Sequence, residues 1–183
     1  MRVIYGIFKG LKLNEPKNRN IRPTTDKVKE AIFDSIQFDI IGKTFLDLFS
    51  GSGQMGIEAL SRGAKFVTFV DKSLDSIKLL KSNLSKLGNF VDGKYYVVNN
   101  DTLSFLRLNN MNFNFVFMDP PYNKELLPKL ISKISDFIQL DGTLICEHES
   151  ELLLPNKIND LAISRNKRYG TVAVTFYKKV QNV

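Results

Sequence analysis

The sequence predicts an α/β fold, a mostly parallel sheet of seven strands with helices on both faces and an antiparallel edge. Three observations predict it. Short apolar runs alternate with stretches of helical periodicity through residues 43–148. A glycine-rich turn, Gly51-Ser52-Gly53-Gln54-Met55-Gly56, follows the first of those runs. Two further apolar runs close the chain with no helix between them.

The elements follow in order. Residues 2–13 read as a short β-hairpin turning at Lys9-Gly10, and residues 14–24, with Pro16 and Pro23, as a linker. A helix runs from about Asp26 to Phe38 with Val28, Ile32 and Ile36 on its apolar side. KTFLDLF (43–49) is a buried strand. Residues 54–62 are helical and stop at Gly63. KFVTFVD (65–71) is the second strand, and Ser73 caps a helix ended by Gly88. YYVVN (95–99) is a strand, and Asp101 caps a short helix to about Leu108. FNFVFMD (113–119) is a strand, 125–138 a helix and GTLICEH (142–148) a strand. The tail forms two strands joined near Arg168–Gly170. The domain division read here is an appendage over 1–24 and a main domain over 25–183.

Composition narrows the class. The 183 residues, 43% apolar and 25% charged, suit one domain with an appendage and exclude wholesale disorder. A single cysteine, Cys146, excludes an intramolecular disulfide and an all-cysteine metal cluster, and a single histidine, His148, excludes a histidine triad; no metal is expected. No apolar run reaches the ~18 residues of a membrane span. The opening Met1–Gly6 breaks too early for a signal peptide. The expectation is a soluble, cytoplasmic, monomeric protein without a membrane partner. The net charge of +7 is uneven: residues 1–30 and 156–183 each carry +5, and the stretch between them −3. A polyanion such as nucleic acid would explain basic ends; a solvated lysine-rich surface would also produce them.

In a sheet of this kind ligands bind beyond the carboxyl ends of the strands. Gly51, Gly53 and Gly56 fit G-x-G-x-x-G, and Asp71 ends the second strand where an acid accepts hydrogen bonds from a ribose diol. Asp47, four residues before Gly51, would repel a pyrophosphate but hold an ammonium. S-adenosylmethionine has an ammonium, a sulfonium and no phosphate, so the local charge favours it over NAD. Asp101 can accept from an adenine amino group or simply cap its helix. With the flanking Ser50, Lys72 and Thr102, these residues and Asp119 form the candidate donor-binding set.

Asp119-Pro120-Pro121-Tyr122 follows the fourth strand. The prolines lack N–H donors, so the Asp119 carboxylate and the Pro120 carbonyl form an acceptor-only clamp. A nucleobase amine has its lone pair delocalised into the ring. Two acceptors on its N–H groups favour a pyramidal nitrogen aimed at a methyl-sulfonium, and Asp119 can take the departing proton. Tyr122 offers a ring on which a flipped base stacks. Arg22, before Pro23, reaches a phosphate or the base, or is a plain surface arginine. His148 is the lesser candidate for a base, Glu147 lies at the site edge with no assigned role, and Cys146 packs in the core.

Together these motifs resemble the Rossmann-like class I S-adenosylmethionine-dependent methyltransferases with the (N/D/S)PPY signature. Two longer segments narrow the match. Arg22-Pro23-Thr24-Thr25-Asp26-Lys27-Val28-Lys29-Glu30 and Asp47-Leu48-Phe49-Ser50-Gly51-Ser52-Gly53 with Gly56-Ile57-Glu58-Ala59-Leu60-Ser61-Arg62-Gly63-Ala64 are similar to elements of the RsmD family. Leu11 departs from that family's pattern, which has arginine there. The resemblance implies methylation of N2 of a guanine in bacterial 16S ribosomal RNA, on an assembled or partly assembled small subunit. It implies that Asp119, Pro120 and Tyr122 serve the guanine and that Asp47, Gly51, Asp71 and Asp101 serve S-adenosylmethionine. It also implies RNA contacts for the N-terminal hairpin, with Arg2, Lys9, Lys12, Arg22, Pro121 and Tyr122 as candidates. A DNA adenine-N6 methyltransferase and a catalytically silent RNA-binding assembly factor are the competing readings.

Overall fold

A computed structural model describes residues 1–16, 24–108, 110–120 and 126–181. Five strands are parallel: β1 (Thr44–Leu48), β2 (Phe66–Asp71), β3 (Tyr95–Asn99), β4 (Phe113–Met118) and β5 (Ile138–Glu149). Three more, β6 (Lys157–Ile158), β7 (Leu161–Tyr169) and β8 (Val172–Lys179), are antiparallel. The sheet order is β3-β2-β1-β4-β5-β8-β7-β6. The order reverses between β1 and β4, the place where such sheets open a crevice for ligands.

Helices α1 (Asp26–Asp34), α2 (Gln54–Ser61) and α3 (Leu74–Leu84) cover one face, packing on Phe45, Phe69, Phe117 and Ile145. Helices α4 (Thr102–Leu108) and α5 (Leu126–Ile134) cover the other, over Leu46, Val116, Met118 and Leu144. Alternation along each strand sorts these side chains to opposite faces. The same alternation places Asp47, Asp119 and Glu147 on the α1–α3 face, two residues beyond Phe45, Phe117 and Ile145.

Four features differ from the sequence reading. The sheet has eight strands, because Asn159, at φ +51, turns the chain so that Lys157 and Ile158 pair with Ala162 and Leu161. The first helix stops at Asp34, where the Ser35 hydroxyl donates to the Ala31 carbonyl and the next amides make tighter turns. β5 begins at Ile138 and bulges before realigning at Thr143. The N-terminal hairpin keeps a single bridge, Arg2 with Lys12, and turns over residues 5–10.

That last difference has a physical cause. The amides of Ile4 and Tyr5 donate to the Glu58 carboxylate at 2.8 and 2.9 Å, and that of Ile7 to the Ser61 carbonyl at 2.9 Å. Helix α2 takes donors that a longer hairpin needs. Arg62 Nε donates to Glu58 at 2.9 Å, and its guanidinium lies 5.2 Å from the centres of the Tyr5 and Phe33 rings. Fully buried Lys29 donates to the Arg2 carbonyl at 2.6 Å. Val3 and Leu13 join the α1–α3 core.

Candidate active site

The glycine turn is held by both carboxylates that flank it. Asp47, 1% exposed, accepts the Gly56 amide at 2.9 Å, tying the end of β1 to the first turn of α2. Asp71 accepts the Gly51 amide at 2.8 Å on one oxygen and the Ser73 amide at 2.8 Å on the other. Between them the chain passes through Phe49 at φ +60, a costly conformation for a residue with a Cβ, and Gly51 at φ +53. A Cβ on Gly51 would meet only the Phe49 carbonyl, 3.9 Å away, so the backbone there faces open space. Gly56 serves packing instead. A Cβ there would stand 2.2 Å from Phe69 Cε1, so glycine lets α2 close on β2.

Asp101 caps α4, accepting the amides of Leu103 and Ser104 at 3.0 and 3.1 Å. Thr102 is buried beside it and Lys72 is exposed. At the end of β4, Asp119 is largely buried and Pro120 buried. Pro121, Tyr122 and Arg22 lie outside the described residues.

Glu147, to which the sequence reading gives no role, supports the site through Asp119 and Thr24 without lining its cavity. Met118 pairs with Cys146 in the β4–β5 register, so Asp119 and Glu147 follow at neighbouring strand ends. Glu147 is 6% exposed and accepts the Thr24 hydroxyl at 2.7 Å. The Thr24 carbonyl in turn accepts from the Gln54 side chain at 3.1 Å. Burial, and then the Glu147 charge, push the Asp119 carboxyl up to about 8. Burial likewise holds Asp47 well above the carboxylate range, opposed by the Gly56 amide and reinforced by Asp71 and Asp119. His148 is absorbed structurally: Nδ1 lies 2.8 Å from the Glu149 carbonyl and Nε2 2.8 Å from the Thr175 hydroxyl. Burial lowers its pKa.

A cavity of about 790 Å³ opens at these strand ends. Asp47, Ser50, Gly51 and Asp119 line it, with Phe117 and Thr24. Gly53, Gly56, Asp71, Lys72, Asp101 and Thr102 do not. Asn14, Glu15 and Pro16 form another wall, held because buried Asn83 donates to the Asn14 and Ser52 carbonyls at 3.2 and 2.9 Å. Two buried atoms of lining residues, Ser50 Oγ and Gln54 Oε1, have no hydrogen-bond partner among the described residues. Among the described residues no group of three or more His, Cys, Asp or Glu is placed to hold a metal ion, and no helix is long and apolar enough to cross a membrane. Of the basic N-terminal residues, Arg2 lies 3.6 Å from Asp26, while Lys9 and Lys12 are exposed. The turn bearing Lys9 sits at the far end of α2, about 12 Å of helix from the glycine turn.

Comparison with known proteins places this geometry. The family model described as conserved hypothetical protein 95 matches residues 1–178. The chain is 41% identical to the putative rRNA methyltransferase YlbH of Bacillus subtilis over 98% of its own length and 99% of that protein. It is 34% identical to ribosomal RNA small subunit methyltransferase D of Escherichia coli, over 98% of this chain and 90% of that one. The solved structure of a putative methyltransferase, yhhF, from Escherichia coli superposes with a TM-score of 0.88 at 33% identity, covering 100% of this chain and 99% of that one. A sheet that reverses between β1 and β4, an acid-walled cavity at that point and similarity along nearly the whole chain agree, and the chain belongs to the RsmD family of ribosomal RNA methyltransferases.

Proposed function

We propose that this chain transfers the methyl group of S-adenosyl-L-methionine to the exocyclic N2 of a guanine in bacterial 16S rRNA, within the small ribosomal subunit or an assembly intermediate. The enzyme works as a cytoplasmic monomer, with residues 1–24 as the RNA-contacting appendage of the 25–183 domain. The observation that carries this reading is the pair of buried carboxyls, Asp47 and Asp119, walling one cavity. A phosphate-bearing cofactor would add negative charge there. A cationic donor relieves the repulsion.

The residues present fit such a donor. A 790 Å³ cavity suits a ligand of that size. The unpartnered Ser50 and Gln54 oxygens are acceptors for its polar groups. Asp47 receives the ammonium, Gly51 leaves its backbone open to close approach, and Asp71, which keeps lone pairs free on both oxygens, accepts from the ribose. Lys72, Asp101 and Thr102 border the adenine side.

The donor supplies an electrophilic methyl on a positively charged sulfur. In the molecules whose Asp119 is ionised, a share that grows as pH rises towards 8, it and the Pro120 carbonyl accept the two N–H groups of the guanine amine and localise its lone pair. As the C–N bond forms and the C–S bond breaks, Asp119 takes the proton that the new ammonium sheds. Its raised proton affinity suits it to this near neutral pH. Tyr122 stacks on the base, and Arg2, Lys9, Lys12, Arg22 and Pro121 contact RNA.

The test is labelled methyl transfer to unmethylated small subunits, naked 16S rRNA and duplex DNA, followed by nucleoside digestion. N2-methylguanosine is expected from the ribosomal substrates. Methyladenine from DNA would overturn the base and substrate assignment. Asp119→Ala should abolish transfer while donor binding, measured by calorimetry, survives; unimpaired transfer would remove Asp119 from the chemistry.

A further inference from the structure

The basic charge of the C-terminal segment is divided by the fold. β8 runs antiparallel to β5 and β7 antiparallel to β8, so Lys178 and Lys179 fall at the edge of the sheet away from the cavity. Lys179 is paired there with Asp160 at 3.1 Å. The end of β7 returns to the cavity edge. Glu147 faces Val174, and Val174 faces Lys167. Lys167 therefore stands in the cross-strand row of Glu147, beside Asp119.

The side chains can be sorted by face. Directly opposed residues of a pleated sheet point the same way. Arg165 opposes Phe176, and Lys167 opposes Val174; both partners belong to the α1–α3 core. The Arg165 guanidinium lies 5.8 Å from the Phe176 ring centre, in agreement. Arg165 and Lys167 thus occupy the face that carries Asp47, Asp119 and Glu147. Both are exposed, and among the described residues neither pairs with an acid. Arg168, also exposed, follows at the tip on the opposite face. The acid in the row of Lys167 is Glu147, two strands away on β5; Glu149, half-buried opposite Val172, lies one row further along the same face.

From β4 to β7 is three strand spacings, about 14 Å. We propose that Arg165 and Lys167 form a phosphate-binding track on β7 that holds the RNA backbone flanking the target nucleotide. The proposal rests on the reading of this chain as an RNA methyltransferase and adds a surface to it. Phosphate contacts of this kind fix register and supply salt-dependent affinity without reading sequence.

β6 pairs only with Leu161 and Ala162, so among the described residues β7 is an open edge at Arg165 and Lys167, and charged residues on such an edge also serve to block strand pairing between molecules. Charge reversal separates the two roles, because glutamates still block pairing but repel phosphate. The experiment compares the wild type, Arg165→Glu/Lys167→Glu, and a control with the same charge change, Lys65→Glu/Lys94→Glu. Lys65 and Lys94 are exposed just before β2 and β3, at the opposite sheet edge. Methyl transfer to small subunits and binding to 16S rRNA are measured across a series of salt concentrations.

The track variant should raise KM for the ribosomal substrate on the order of tenfold at low salt and reduce the slope of log K against log salt by about 1.4–2. Its kcat and donor affinity should match the wild type, and the control should keep both the wild-type KM and slope. A track variant within about twofold of wild type in KM with an unchanged slope overturns the proposal. So does a control that loses as much. A wild type that neither binds rRNA nor methylates it would instead defeat the functional reading, and the track with it.

Discussion

Asp119→Asn should stabilise the protein, increasingly as pH rises. The carboxyl is held up to about 8 from its ordinary 3.8, so the folded chain keeps a proton that the unfolded chain sheds above pH 4. Folded stability is therefore untouched by this group below 3.8 and falls as pH climbs from there towards 8, by about 1.4 kcal/mol per unit. At pH 7 the accumulated loss is about 4 kcal/mol. A buried amide that finds no partner costs about 1–3 kcal/mol, which leaves a net gain on the order of 2 kcal/mol for the asparagine variant. Urea unfolding of both proteins at pH 5, 6, 7 and 8 reads this out. His148, whose lowered pKa gives the opposite slope, and Asp47 are present in both proteins and cancel in the difference. Parallel stability curves, with no widening gap, would refute the account of Asp119.

Other outcomes follow from the same geometry. Donor binding should release protons, as the ammonium favours the ionised form of Asp47; calorimetry in two buffers of different ionisation heat tests this, and a buffer-independent enthalpy would reject it. Asp47→Asn should reduce that release. Glu58→Ala leaves the buried Arg62 guanidinium with Asp34, 3.3 Å away, as its remaining carboxylate and strands the Ile4 and Tyr5 amides, and should cost about 2–4 kcal/mol in denaturant unfolding. A loss under about 1 kcal/mol would show that the network contributes little. Gly56→Ala puts a methyl 2.2 Å from Phe69 Cε1 and should cost about 1–3 kcal/mol, lowering Tm by at least ~2 °C. An unchanged Tm would mean that α2 shifts freely.

Much of the site was legible because it is local. The glycine turn lies within a few residues of Asp47, and Ser73 and Asp101 declare their helix starts with side chains that accept amides two or three residues ahead. Three of the five parallel strands end on a polar residue, β2 at Asp71, β3 at Asn99 and β5 at Glu149, and their ends were equally readable. What escaped depends on pairing across long separations. The Asp119–Glu147 neighbourhood follows from the β4–β5 register, which a bulge between Phe113 and Phe115 offsets from simple counting. The link from Thr24 to Glu147 spans 123 residues. The N-terminal hairpin has a shorter ladder than its pattern suggests because the amides of Ile4, Tyr5 and Ile7 bond to Glu58 and Ser61, which no local pattern announces. Lys157–Ile158 is a strand only because β7 offers it an edge.

The anchoring of the N-terminal segment also sets a timetable for synthesis. Residues 1–16 leave the ribosome before their partners, which are Glu58, Ser61, Asn83 and Lys86. Thr24 must wait for Glu147, 123 residues later, a delay of about 6–25 s at ordinary elongation rates. A nascent chain that ends after β4 already has its glycine turn, but its Thr24 hydroxyl has no Glu147 carboxylate to meet. The cavity-lining residues all lie before β5, so the Thr24 wall is the last part of the cavity to be fixed, when Glu147 arrives. A newly made molecule completes its cavity only after its earlier and its later-made segments have met.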